Sequence, residues 1–353
     1  EMKTNARTEL YANARGYSPI LEGIRRLVRS DIAVFHNGIG FDIPAIVQVY
    51  GREAVEGITT YDTLVGSRYF HPERHSHSLA SLGEELGYEK GDHSDWSTFS
   101  AAMGDYCCRD VEVTAKVFEQ MWTGEIERGL RLEFNFAKVI ALQEQHGFRL
   151  DVEKAQELES EFRQEQCDIE RDLQRQWTPK TIKRISEKTG KRLKDKIEVF
   201  NPGSRKMIAE RLTEQYEWKP KQYTPSGQPK IDEAVLDKLD YEEAKKLSRY
   251  FRLQKLLGQL SDGDAGWLKL ERDGYVHGSV KTIGTATHRC SHFGPNMGQV
   301  DRRDLRMREV WLPDKGQVLV GCDADALELV CLAHYLGKFD NGEYQDALLN
   351  GSK

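Results

Sequence analysis

The sequence predicts a multidomain protein of α/β and α+β class. Short apolar runs alternate with helical periodicity up to about residue 120, which implies an α/β domain. An almost wholly helical stretch follows from Ile126 to Gln176, and short strand-like runs return after about residue 270. A chain of 353 residues is also too long for one ordinary domain and suggests two or three.

Composition narrows the class. Apolar residues make up 39% and charged residues 31%, which fits a soluble, helix-rich protein. No apolar run approaches the ~18 residues of a membrane span. The chain opens at Glu1 with neither a signal peptide nor an initiator Met, and so reads as a fragment. Six cysteines show neither zinc-ligand spacing nor a disulfide framework, as expected in a reducing cytosol. A net charge of −6 argues against whole-molecule attraction to nucleic acid but leaves room for local basic surfaces.

The elements follow in order. "DIAVFHNG" reads as a short buried strand ending in a turn, and "YDTLVGSRYF" as a second ordered segment. The polar loop "HPERHSHS" comes next, then helical periodicity through "MGDYCCRDVEVTAKVFEQMW". In "HGFRLDVEKA", Gly147 suits a helix end and Asp151 the N-cap of the next helix. Lys180 to Lys206 holds ten Lys/Arg against three acids, and by composition alone could simply be a solvated loop. Helix returns across "DEAVLDKLDYEEAKKLSRYFRLQKLLGQL", and short strands flank "GYVHGSVKT" and "GQVLVGCDAD".

Three constellations carry possible chemistry. In "VLVGCDADALELVCLAHY", Val318–Cys322 is apolar enough for a central strand, which fixes Asp323 at its end as a candidate ligand for a divalent cation. A helix from about Ala326 would stack Leu327, Val330, Cys331 and His334 on one face. Taken alone, the segment reads equally well as a strand–helix corner with Asp325 as N-cap. In "THRCSHFGPNMGQV", Arg289, His292, Asn296 and Gln299 lie in a short irregular segment and could meet phosphates and base edges; composition alone favours a polar loop. In "FHNGIGFDIPAI" and "YCCRD", Asp42 follows a strand and turn, while Tyr106 and Asp110 stand at i and i+4 on a helix. Two carboxylates and a tyrosine could bind metal and orient a water, although a lone Y-x-x-x-D is usually helical surface.

Together and in this order, the three resemble the family A DNA polymerases, and most of all the replicative polymerases of podovirus-like phages. "HNGIGFDIPA" and "YCCRDVEVT" look like the second and third 3′→5′ exonuclease motifs, carrying Asp42, Tyr106 and Asp110. "VFNPGSRK", "RCSHFGPNMGQ" and "GCDADALELVCLAHYLGKFDNGEY" look like successive polymerase segments. The resemblance implies a ribonuclease H-like exonuclease domain over 1–124, a helical linker and thumb over 125–265, and the start of a palm over 266–353. It implies that Asp323 holds metal and that Glu328 excludes ribonucleotides beneath the sugar. It also assigns Lys191, Arg192, Arg205 and Lys206, in the thumb-like region, to the duplex backbone. Departures fall at Val330, where relatives usually have Arg, at Asp325, where they have a small polar residue, and at Thr287-His288-Arg289 in place of "TGR".

What the resemblance implies for function is DNA-directed DNA polymerisation with 3′→5′ proofreading, on primer-template and single-stranded DNA, with deoxynucleoside triphosphates. Two Mg²⁺ per complete site would be held by carboxylates from more than one element. The family's first exonuclease motif would precede Glu1, and its second palm carboxylate and fingers helix would follow Lys353. The chain as given is therefore expected to be an inactive fragment that binds DNA weakly. Thioredoxin is not expected as a partner, because relatives that recruit it carry a long insertion where this chain has about two dozen residues. His71, His75 and His77 read as a solvated loop rather than a metal site. The expected location is the bacterial or phage-infected host cytoplasm, with no membrane. The alternatives are a DNA-binding subunit of a split polymerase, or a stand-alone 3′→5′ exonuclease of the same class.

Overall fold

The computed structural model describes residues 20–97, 100–185 and 190–351. The opening of the 1–124 segment, and Lys188 within the basic run, lie outside the described residues. The chain divides into two compact units, residues 1–311 and 312–353.

The first unit begins with α/β structure, as expected. Strands Ala33–Phe35 and Thr60–Asp62 pair in parallel, with Val34 opposite Tyr61. A parallel pair needs a crossover, and helix Asp42–Tyr50 lies within it. Helices Thr63–Phe70, Leu79–Glu85 and Ala101–Met121 follow. Their apolar residues close a core around Tyr61, 1% exposed, whose ring meets Phe118 at 4.8 Å and Phe134 at 5.3 Å edge-on. Among the described residues this sheet has two strands, too few to display a ribonuclease H-like topology.

Helix Arg128–His146 sends Leu130, Phe134 and Ala137 into the same core. It ends at Gly147 (φ 72°), where an added Cβ would lie 2.8 Å from the His277 ring. Both the left-handed backbone and this close approach call for glycine. After the short strand Phe148–Leu150, the Asp151 carboxylate accepts from the Lys154 N–H at 3.1 Å and starts helix Val152–Gln176. This long helix packs on Glu242–Leu257 and bridges two cores. Leu158 and Phe162 join Leu253, Trp267 and Val276; Leu173 joins Phe200, Leu212 and Leu247.

Three expectations for this unit need correction. The basic run is not a loop but an antiparallel hairpin, Lys180–Ile185 with Arg192–Glu198, interrupted by a bulge between Ile182 and Arg184. Thr181, Ile182, Ile185 and Ile197 supply the β-branched residues that suit a strand. The single helix expected after residue 232 is two, Glu233–Leu236 and Glu242–Leu257. The first is capped by Asp232, and the break holds Tyr241 stacked on Tyr216 at 3.9 Å. Lastly, the segment around Arg289 is partly regular: Ser291–Phe293 pairs antiparallel with Ser279–Lys281.

In the second unit, helices Leu327–Leu336 and Glu343–Asn350 pack on each other. Val318–Cys322 is not a strand. Val318, Leu319 and Val320 are 79%, 67% and 84% exposed and pair with no strand among the described residues. An apolar run becomes a central strand only where neighbours accept its backbone hydrogen bonds and cover its faces. The face expected from Leu327, Val330, Cys331 and His334 is likewise exposed, and Ala333 is the residue this helix buries.

Candidate functional site

Helix Ala101–Met121 is capped by Ser100, whose hydroxyl accepts from the Met103 N–H at 3.1 Å. It carries Tyr106 and Asp110 one turn apart, as their spacing predicts. Between them and the preceding loop lies a residue the sequence did not flag. The Lys90 Nζ is 3.2 Å from Asp110 Oδ2 and 4.9 Å from the centre of the Tyr106 ring. Tyr106 also favours the charged form of the Asp110 carboxyl. Burial pushes the Asp110 carboxyl up, against the opposing pull of Lys90 and Tyr106. Its Oδ1 is buried and has no hydrogen-bond partner among the described residues.

Asp42 is the first residue of its helix. Burial is the main cause of its raised carboxyl pKa, and the nearby Asp62 charge adds to it. Asp62 was missed from sequence. It is 1% exposed at the end of its strand, and its carboxylate accepts from the N–H groups of Asn37, Ile39 and Leu64 at 3.0 Å and of Val65 at 3.4 Å. The strand-end argument used for Asp323 applies to "YDTL" and could have found it.

Beside Asp110 opens a cavity of about 720 Å³ whose charged lining is chiefly cationic, Arg68, Arg74, Lys90 and Lys281 against Asp110, with His36 and His77 among the neutral residues. His36 is pushed down to about 4, first by burial and then by Arg68 and Lys90. His77 is lowered by burial and by Arg68 and Arg74, and its Nδ1 lies 2.9 Å from Ser67 Oγ. His71 to Ser78 has no regular structure, in keeping with the loop expected there. Among the described residues no group of three or more His, Cys, Asp or Glu side chains is placed to hold a metal ion.

The residues expected to meet DNA occupy two places in the first unit. His292 is exposed on strand Ser291–Phe293, opposite Val280, and Arg289 is exposed just before it. The Asn296 side chain accepts from the Gly298 N–H at 3.1 Å and so shapes the turn that presents Gln299. Lys191 and Arg192 are exposed at the basic hairpin, where Arg192 meets Asp195 at 3.2 Å. Arg205 and Lys206 open helix Arg205–Tyr216, but the Arg205 guanidinium donates to the Ile231 carbonyl at 3.0 Å. In the second unit, Asp323 is exposed in a segment without regular structure, and Glu328 lies in the first turn of helix Leu327–Leu336.

Residues 170–339 match the model of DNA polymerase family A. The DNA-directed DNA polymerases of Escherichia phage T7 and Enterobacteria phage T3 are each 27% identical over 92% of this chain. The chain spans 64% of the length of each. DNA polymerase I of Pseudomonas aeruginosa is 24% identical over 91% of this chain and 35% of its own length. The fold is similar to the POL domain of Pol1 from M. smegmatis, solved with DNA primer-template and dNTP. That match has a TM-score of 0.58 and 18% identity, and covers 84% of this chain and 48% of the other. Residues 170–339 thus match the model of DNA polymerase family A, and the chain as a whole is similar in sequence to DNA polymerases of phages and bacteria.

Proposed function

We propose that the protein is a DNA-directed DNA polymerase that extends a primer on a template, and that its α/β part is a 3′→5′ proofreading exonuclease. One observation carries the polymerase reading: the family match over residues 170–339 contains both Asp323 and Glu328. The similar mycobacterial domain was solved with primer-template and dNTP, and we take the same ligands as partners here. Incubating the full-length protein with primer-template, Mg²⁺ and deoxynucleotides tests this. Template-directed extension supports it; DNA binding without extension favours a binding subunit, and end-trimming alone a nuclease.

The exonuclease reading has narrower support, from Tyr106 and Asp110 standing together beside a cationic cavity. The donor chemistry fits divalent cations at both places. Asp110 has a buried oxygen that accepts no hydrogen bond from a described residue, and Asp323 offers an exposed carboxylate, the hard oxygen donor that Mg²⁺ takes. Bound Mg²⁺ would supply stabilisation of negative charge on phosphate oxygens. Tyr106 would orient a water, Asp110 and Asp42 would hold cation at the exonuclease site, and Asp323 would do so at the polymerase site. No helix of the described residues is long and apolar enough to cross a membrane.

The hairpin is our candidate for gripping duplex backbone. Lys183, Arg184, Lys191 and Lys194 make no ion pair with any described residue, so their charge is available to phosphates. Replacing all four with Ala should weaken primer-template binding and flatten its salt dependence. If each cation meets one phosphate, the slope of log affinity against log salt falls by about 3 to 4. Anisotropy titrations of labelled duplex at several salt concentrations measure this. An unchanged slope would remove the hairpin from the interface.

A further inference from the structure

We propose that Trp96 is a base-stacking residue for a single-stranded DNA end whose backbone enters the cationic cavity beside Asp110. The proposal rests on the exonuclease reading of the α/β part and adds to it a residue that neither sequence pattern nor family match assigns. Trp96 lies in a stretch without regular structure, yet its ring is held. It meets His93 at 4.8 Å and Tyr106 at 5.4 Å, both edge-on. Even so, 53% of the residue faces solvent. An indole held against two rings while about half of the residue stays exposed costs little further ordering when a base stacks on it.

The surroundings supply the second half of a single-strand site. Lys90, over the Tyr106 ring, lines both the 720 Å³ cavity and a smaller one of about 400 Å³ that also touches His93 and Tyr106. The smaller cavity carries Glu84, Glu89 and Asp92 as well, which disfavour a phosphate there and suit a base edge. The larger one offers phosphates Arg68 and Lys281, neither of which forms an ion pair with a described residue. Arg74 is less available, because it is 2.9 Å from Glu85. Burial is the main cause of the lowered His36 and His77 values, and the neighbouring cations Arg68, Lys90 and Arg74 lower them further. Aromatic stacking beside a cationic groove is how single strands are held without sequence preference.

Binding of fluorescein-labelled oligothymidylate to the full chain tests the proposal, with a blunt duplex as control. Trp96→Ala should weaken single-strand binding by about five- to a hundredfold, the loss of one base–aromatic stack. Trp96→Phe should keep most of the affinity, and the duplex should bind all three proteins alike. A 3′-terminal 2-aminopurine should lose fluorescence on binding the wild type, a readout independent of how the variants fold. Wild-type affinity in Trp96→Ala, equal losses for single strand and duplex, or an unquenched 2-aminopurine would each overturn it. None of these measurements needs cleavage. The exonuclease reading fails separately, if excision of a mismatched 3′ end survives Asp42→Ala with Asp110→Ala.

Discussion

Replacing Asp62 with Ala destabilises the α/β part of the chain by roughly 4 kcal/mol, a large share of the ~5–15 kcal/mol that holds a typical domain. The Asp62 carboxylate accepts from four backbone N–H groups, two in the turn after strand Ala33–Phe35 and two in the first turn of helix Thr63–Phe70. It therefore fixes the turn that leads to Asp42. Each buried donor left without an acceptor costs about 1–3 kcal/mol. Alanine also relieves the cost of burying a carboxylate, so the net loss is less than four full penalties. Burial raises the Asp62 carboxyl in the folded protein. A raised folded pKa means that the native state holds the proton more tightly than the unfolded chain. The Asp62 contribution is then fully present below the usual carboxylate range and is partly lost as pH rises through the raised value. The gap between wild type and Asp62→Ala should accordingly be wider in mild acid than at neutral pH. Urea midpoints at the two pH values measure it, and coincident midpoints would show that the four hydrogen bonds are dispensable.

What sequence could and could not see divides along physical lines. Gly147 and Asp151 were legible because caps are local: a left-handed residue and a side-chain acceptor act within a few positions. Tyr106 and Asp110 were legible because helical spacing alone puts them on one face. Lys90 was not, since its approach to Asp110 across 20 positions is decided by how the intervening loop folds. The basic hairpin hid for another reason. Its charges dominate the composition, while the β-branched residues that support pairing are spread thinly among them.

Asp62 and Asp323 show the limit most clearly. Asp62 follows the β-branched and aromatic residues Ile58 to Tyr61 and Asp323 the apolar run Val318–Cys322, yet only Asp323 reads from sequence as a strand-end carboxylate. The structure puts Asp62 at a true strand end, with its oxygens engaged by backbone N–H groups, and leaves Asp323 exposed after a run that forms no strand. Sequence gives the carboxylate but not its partner, because strand pairing is non-local.

Exchanging Asp323 for Asn should cost polymerisation on the order of a hundredfold or more, the scale seen when one charge-stabilising group leaves an active site. An amide occupies nearly the same space as a carboxylate, so helix Leu327–Leu336 should be undisturbed. It carries no charge, however, and is a poor ligand for a hard, strongly hydrated cation. Asp323 is exposed and outside regular structure, so the loss would not reflect a damaged core. Glu328→Ala provides the contrast within the same segment. Extension with deoxynucleotides should persist, while the discrimination against ribonucleotides that the resemblance assigns to Glu328 should weaken. The measurement is single-turnover extension of a primed template by protein that extends it in the wild-type form, with each nucleotide type in turn. Equal rates for wild type and Asp323→Asn would remove Asp323 from the metal site. Unchanged sugar discrimination in Glu328→Ala would leave Glu328 an ordinary residue of its helix. The two results are independent, because one substitution alters cation binding and the other alters the space offered to the sugar.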